Sequence, residues 1–110
     1  MIDPVFEEQY ASDHGKSYYE DRPDPPGLAE MREGANAYIK GDYETAFKCF
    51  QRAAEKGSGH ALYEMGQLYL NGRGVLQDKD KARDLFRRSA EQGYPSAVQI
   101  LKEMANEKRR

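Results

Sequence analysis

The sequence predicts an all-α chain, a short right-handed α-solenoid of antiparallel helix pairs with about five helices in two and a half repeats. Three observations carry this. From Leu28 onward, alanines, leucines and aromatics recur at helical spacing, and glycines at 41, 57, 72, 74 and 93 punctuate the runs. Sliding the chain against itself by 36 residues lays "FQRAAEKGSGHA" on "FRRSAEQGYPSA", pairing Phe50 with Phe86, Gly57 with Gly93 and Ala61 with Ala97. The connections are short, so each helix turns back against the one before it.

Composition bounds the function. At 110 residues and 38% apolar, the chain has room for one domain with a small core. A net charge of -2 gives no reason to expect nucleic acid or an anionic membrane as partner. Cys49 is the only cysteine, so no internal disulfide can form. The start "MIDPVFEEQY" has neither the basic nor the apolar region of a secretory leader. No apolar run approaches the roughly 20 residues of a membrane helix, so no membrane insertion is expected and the expected location is the cytoplasm.

Residues 1–27 hold seven acids against two bases, together with Pro4, Pro23, Pro25 and Pro26 and no sustained helical stripe. Each proline removes a donor and restrains the residue before it, so this part reads as an acidic, Pro/Tyr-rich, disordered tail. Residues 28–110, with fifteen bases against twelve acids, form the expected helical repeat domain. Helices are expected at about 28–40, 43–56, 59–71, 78–92 and 95–108. Gly57 and Gly93 stand where helices end in a left-handed residue. Ala46, Ala54, Ala82 and Ala90 are small enough for neighbouring helices to approach closely, and Phe50 and Phe86 fill the space between pairs. Met31, Leu62, Met65, Leu68 and Tyr69 fall on the core stripe. In "LNGRGVLQDKD", Asn71, Gly72 and Gly74 end the third helix. Val75 and Leu76 are expected to pin the loop to the core, and Asp78 or Asp80 to start the fourth. The last helix, "PSAVQILKEMANEKRR", has a charged end suited to a cap.

The stretch "ALYEMGQLYLNGRGVLQDKDKARDLFRRSAEQGYPSA", with its G-x-G-V turn and A-E-Q-G helix end, resembles the Sel-one-like repeat, a relative of the tetratricopeptide repeat. The likeness covers Gly34 to about Met104. In the first unit, "GANAYIKGDYETAFKCFQRAAEKG", a compact turn replaces the G-x-G-V loop, a shape that suits an opening unit. The resemblance implies a non-enzymatic adaptor or scaffold that presents a concave helical face to a partner protein or peptide. Some secreted members carry a disulfide in each repeat, and the lone Cys49 sets this chain apart from those.

Other chemistry has little support. His14 and His60 have no second histidine or cysteine pair at metal-ligand spacing, so no catalytic residue, metal or cofactor is expected. Cys49 aligns with Leu85 and reads as a packed thiol. "NGRGV" lacks the lysine and hydroxyl of a phosphate loop. Extrapolating the tetratricopeptide groove positions gives a partner-binding set of Arg32, Asn36 and Lys40, then Tyr63, Gln67 and Asn71, then Gln99 and Glu103. These amides, bases and an aromatic suit an extended peptide; the plainer reading is an ordinary polar surface. Phe6, Tyr10, Tyr18 and Tyr19, interleaved with acids, form a second candidate, a binding motif in the tail. Docking of the tail into its own groove, self-association, a specialised chaperone or regulatory partner of a secreted protein, and a small-ligand protein or hydrolase stay open as alternatives.

Overall fold

The computed structural model describes residues 24–109. Five α-helices follow one another among them: α1 (Leu28–Ile39), α2 (Tyr43–Glu55), α3 (Gly59–Asn71), α4 (Lys79–Glu91) and α5 (Pro95–Arg109). Each packs on its sequence neighbour, which is the contact pattern of an α-solenoid. None of these helices is long and apolar enough to cross a membrane.

Local chemistry fixes the boundaries. Asp42 precedes α2 and its carboxylate accepts from the Thr45 backbone N–H at 3.2 Å. Asp78, 36 residues further on, does the same for the Lys81 N–H at 3.0 Å ahead of α4. Ser58 caps α3 by accepting from the Ala61 N–H at 3.1 Å. Each cap satisfies one of the donors that a helix start leaves without a partner. Gly57 and Gly93 take the expected left-handed φ, 100° and 88°.

The same joint holds both pairs together. A Cβ placed on Gly34 falls 2.5 Å from Cε1 of Phe50, and one on Gly66 falls 2.5 Å from Cε1 of Phe86. Each first helix therefore offers a bare backbone socket to the phenylalanine of its second helix. Around these joints Ala46, Ala53, Ala61, Leu62, Met65, Leu68 and Leu85 form the main buried cluster, and Ala82, Phe86 and Met104 form a second. Met31 is also buried and Tyr69 packs partly buried against it, as the core stripe requires.

Two expectations are corrected. Ala46 and Ala82 are fully buried, but at the second small position the buried residues are Ala53 and Ser89, while Ala54 and Ala90 are half-buried. One residue is about 100° around a helix, so the identity of adjacent small residues did not reveal which one faces inward. Ser89 stays compatible with the core because its hydroxyl donates to the Gly59 carbonyl at 2.6 Å. Leu76 does not pin the loop: it is 90% exposed, and Val75 alone packs inward. Polar contacts hold the loop instead. The Asp78 N–H donates to the Tyr69 carbonyl at 3.0 Å, and Gln77 Nε2 donates to the Leu70 carbonyl at 2.8 Å.

Candidate functional site

α1 and α3 are the first helices of successive pairs and run side by side with a groove between them, floored by Phe50 from α2. Its first section, about 320 Å³, is lined by Leu28, Arg32, Ala35 and Ile39 of α1 and by His60 and Glu64 of α3. Tyr38 and Glu64 lead into a second section of about 250 Å³, lined further by Tyr63, Gln67, Asn71 and Arg73. The floor is apolar and open. Ile39, at the end of α1, is 81% exposed and carries the apolar lining out to the edge of the groove.

The polar groups around this floor are arranged unevenly. Arg32 has no carboxylate partner among the described residues. The Arg73 guanidinium lies 5.9 Å from the Tyr38 ring centre and 5.4 Å from that of Tyr43, within cation–π range, and donates to the Tyr38 hydroxyl. Glu64 is paired with His60 at 3.2 Å, one helical turn away. The His60 ring stacks on Tyr94 with centres 5.0 Å apart, and Tyr94 in turn lies 5.2 Å from Tyr63. Burial, partly offset by a hydrogen bond with Ser96, pushes the Tyr94 hydroxyl above its ordinary pKa. Gln67 donates to the Tyr63 hydroxyl at 2.8 Å, which leaves its amide oxygen as an acceptor.

Of the eight expected partner-binding residues, Arg32, Tyr63, Gln67 and Asn71 line this groove. Asn36 on α1 and Lys40 just after it are exposed outside the groove, and Gln99 is exposed on α5. Glu103 lines a separate hollow near the ends of α4 and α5, with Leu70, Arg83 and Met104. The reason lies in helical geometry. Repeated steps of four residues, 32 to 36 to 40, drift about 40° per step around the helix, whereas 28, 32, 35 and 39 alternate four and three and keep to one face. That alternation was present in the sequence and would have found Leu28, Ala35 and Ile39. The same alternation, 60, 64, 67 and 71, would have added His60 and Glu64; Arg73, which belongs to the G-x-G loop, carries no comparable signal. Phe6, Tyr10, Tyr18 and Tyr19 lie outside the described residues.

Another hollow, about 490 Å³, opens between α2 and α4 and is lined by Phe47, Gln51, Tyr69, Asp80, Asp84 and Leu85, among others. Its polar groups are mostly engaged: Asp78 caps α4, Asp80 pairs with Arg83 at 3.2 Å, and Lys81 lies 5.5 Å over the Tyr69 ring. The groove between α1 and α3 is the better candidate for binding because apolar side chains, Leu28, Met31, Ala35, Ile39 and Phe50, make up most of the lining of its first section. Cys49 is buried, with Sγ 3.4 Å from an Arg52 guanidinium nitrogen. No group of three His, Cys, Asp or Glu residues among those described could hold a metal ion.

Comparison with known proteins places these features in context. The family model described as Sel1 repeat matches residues 27–58 and 59–94, two adjacent units that meet at the Ser58 cap. The chain is 30% identical over 76 residues, 68% of its length, to an ERAD-associated E3 ubiquitin-protein ligase component, HRD3A, from Arabidopsis thaliana. It is 35% identical over 60 residues, 54% of its length, to an exopolysaccharide production negative regulator of Rhizobium leguminosarum bv. viciae. It is 33% identical over 72 residues, 66% of its length, to chitin synthase regulatory factor 3 of Schizosaccharomyces pombe. The matches span only 11%, 22% and 8% of those three proteins. No solved structure matches the chain significantly.

Proposed function

The chain belongs to the Sel1-repeat family, and on that premise we propose that it is a non-enzymatic interaction module which binds an extended segment of a partner protein along the groove between α1 and α3. The observation that carries this is the opening from Leu28 to Arg73, with Phe50 on its floor, Ile39 bare at its edge and, on its rim, Arg32, which has no carboxylate partner among the described residues. An apolar floor supplies binding energy, while donors such as Arg32 and Asn71 and the Gln67 acceptor set direction by meeting a peptide backbone. The relatives support an adaptor or regulatory role, since they are a ligase component, a negative regulator and a regulatory factor.

The test is affinity capture of partners, followed by titration of each purified partner against the chain and against an Arg32→Ala, Ile39→Asp variant. Both positions are exposed, so the variant should keep its helical circular dichroism and melting temperature. We expect partner affinity to fall at least about tenfold, the size of one lost anchor contact. Unchanged affinity for every partner would sink the assignment.

A further inference from the structure

We propose that residues 1–23 are an internal competitor for the groove: the acidic segment lies along α1 and α3 when no partner is bound, with Tyr18 and Tyr19 over Tyr38 and Ile39. This rests on the groove reading above and names what fills the groove in the free chain.

The path of the chain is the first observation. The Pro25 carbonyl accepts from the Leu28 N–H at 3.2 Å, Gly27 is buried against Ala53, and Pro26 lies beside Gly57. Leu28 itself lines the groove, as does His60 just after the Gly57 turn. The described chain therefore starts at the mouth of the groove.

Charge is the second. Residues 1–23 carry six acids against two bases. Among the groove-lining residues Arg32 and Arg73 are basic, and the single carboxylate, Glu64, is already paired with His60. An acidic strand laid here meets two arginines against one carboxylate.

Reach is the third. α1 has 12 residues and is about 18 Å long at 1.5 Å per residue. From Asp24 back to Tyr18, an extended chain covers about 20 Å, so the paired tyrosines fall opposite the far end, where Ile39 is bare and Tyr38 and Arg73 form an aromatic and cationic wall. Arg22 then lies level with Arg32, about 6 Å along, and Asp21 follows about 3 Å beyond, within reach of the long Arg32 side chain. Tethering makes this an intramolecular event at millimolar effective concentration, so even weak docking lowers apparent partner affinity.

The test uses the full chain with Tyr18→p-benzoylphenylalanine, irradiated at low micromolar concentration and mapped by peptide mass spectrometry. Cross-links within residues 28–39 and 60–73 of the same chain are expected, reduced about fivefold by Arg32→Glu or by 0.5 M salt because the contact is part electrostatic. Cross-links to α2 or α4, cross-links between chains, or a yield no higher than in urea would each overturn it. The two proposals fail separately. If Arg32→Ala, Ile39→Asp weakens the partner while Tyr18 never reaches the groove, only the tail inference falls. If Tyr18 maps to the groove while the partner ignores that variant, the partner assignment falls and the tail's site stands.

Discussion

Asp42 and Asp78 begin equivalent helices, yet three residues lead from α1 to α2 and seven from α3 to α4. The two pairs share their glycine and phenylalanine joint and their aspartate cap, so the four extra residues sit entirely in the second loop. There they place Arg73 against the Tyr38 and Tyr43 rings, and they bring Gly74 so close to Tyr43 that an added Cβ would lie 2.7 Å from its carbonyl. The longer loop of the second pair is thus seated on the short turn of the first. Helix contacts hold each pair together, while the difference in loop length helps lock one pair to the next.

The shared joint is where that account breaks most easily. Phe86 is 0% exposed, among Gly66, Tyr63 and Met104. Phe86→Ala should cost about 3–5 kcal/mol by urea denaturation. Phe50→Ala should cost less, because Phe50 borders the open groove on one side. Equal losses would mean the two joints are energetically alike despite the groove. Gly66→Ala should cost about 1–3 kcal/mol through overpacking, and Phe86→Leu in the same chain should recover part of it.

The loops give the next largest contrast. Gly41 and Gly74 both hold a left-handed φ, 84° and 73°. Around Gly41 there is nothing within 4 Å of an added Cβ, whereas at Gly74 it meets Tyr43 backbone. Gly41→Ala should therefore cost only the left-handed backbone term, about 1–2 kcal/mol. Gly74→Ala should cost more than Gly41→Ala and also lift Arg73 from its ring, visible as faster hydrogen exchange at the start of α2. If the two substitutions cost the same, the loop does not press on the first pair. Asp78→Ala should lose about 1 kcal/mol, the ordinary worth of a helix cap.

How much of this was legible follows from what repeats. The 36-residue self-match carries the Asp42 and Asp78 caps, the phenylalanines and the bounds of α2 and α4, because each depends on residue type at a fixed spacing. The sockets at Gly34 and Gly66 are 32 apart, not 36, so that same match hid them. Leu76 misled because hydrophobicity alone does not say which way a loop residue points once backbone hydrogen bonds fix the loop. Of the eight expected positions, four line the groove, Arg32, Tyr63, Gln67 and Asn71. Arg73 was not among the eight, since its position depends on one pair lying against another.

The smallest effect separates the first cap from its setting. Asp42 is held below the usual carboxylate pKa first by the Thr45 side chain, then by the Thr45 backbone N–H, against a small opposing effect of burial. A carboxyl that is more acidic folded than unfolded stabilises the native state above its unfolded pKa of about 3.9. That contribution disappears as pH falls through the lower folded value. Asparagine caps helices well but does not titrate in this range. In Asp42→Asn the other carboxyls remain, so their acid destabilisation cancels in the difference between the two chains. Urea midpoints should thus differ by a constant amount from pH 7 to about 5, and the wild type should then lose ground to Asp42→Asn as pH drops below about 4. A flat difference down to pH 3 would show that the short turn at Asp42 holds α2 without help from the charge.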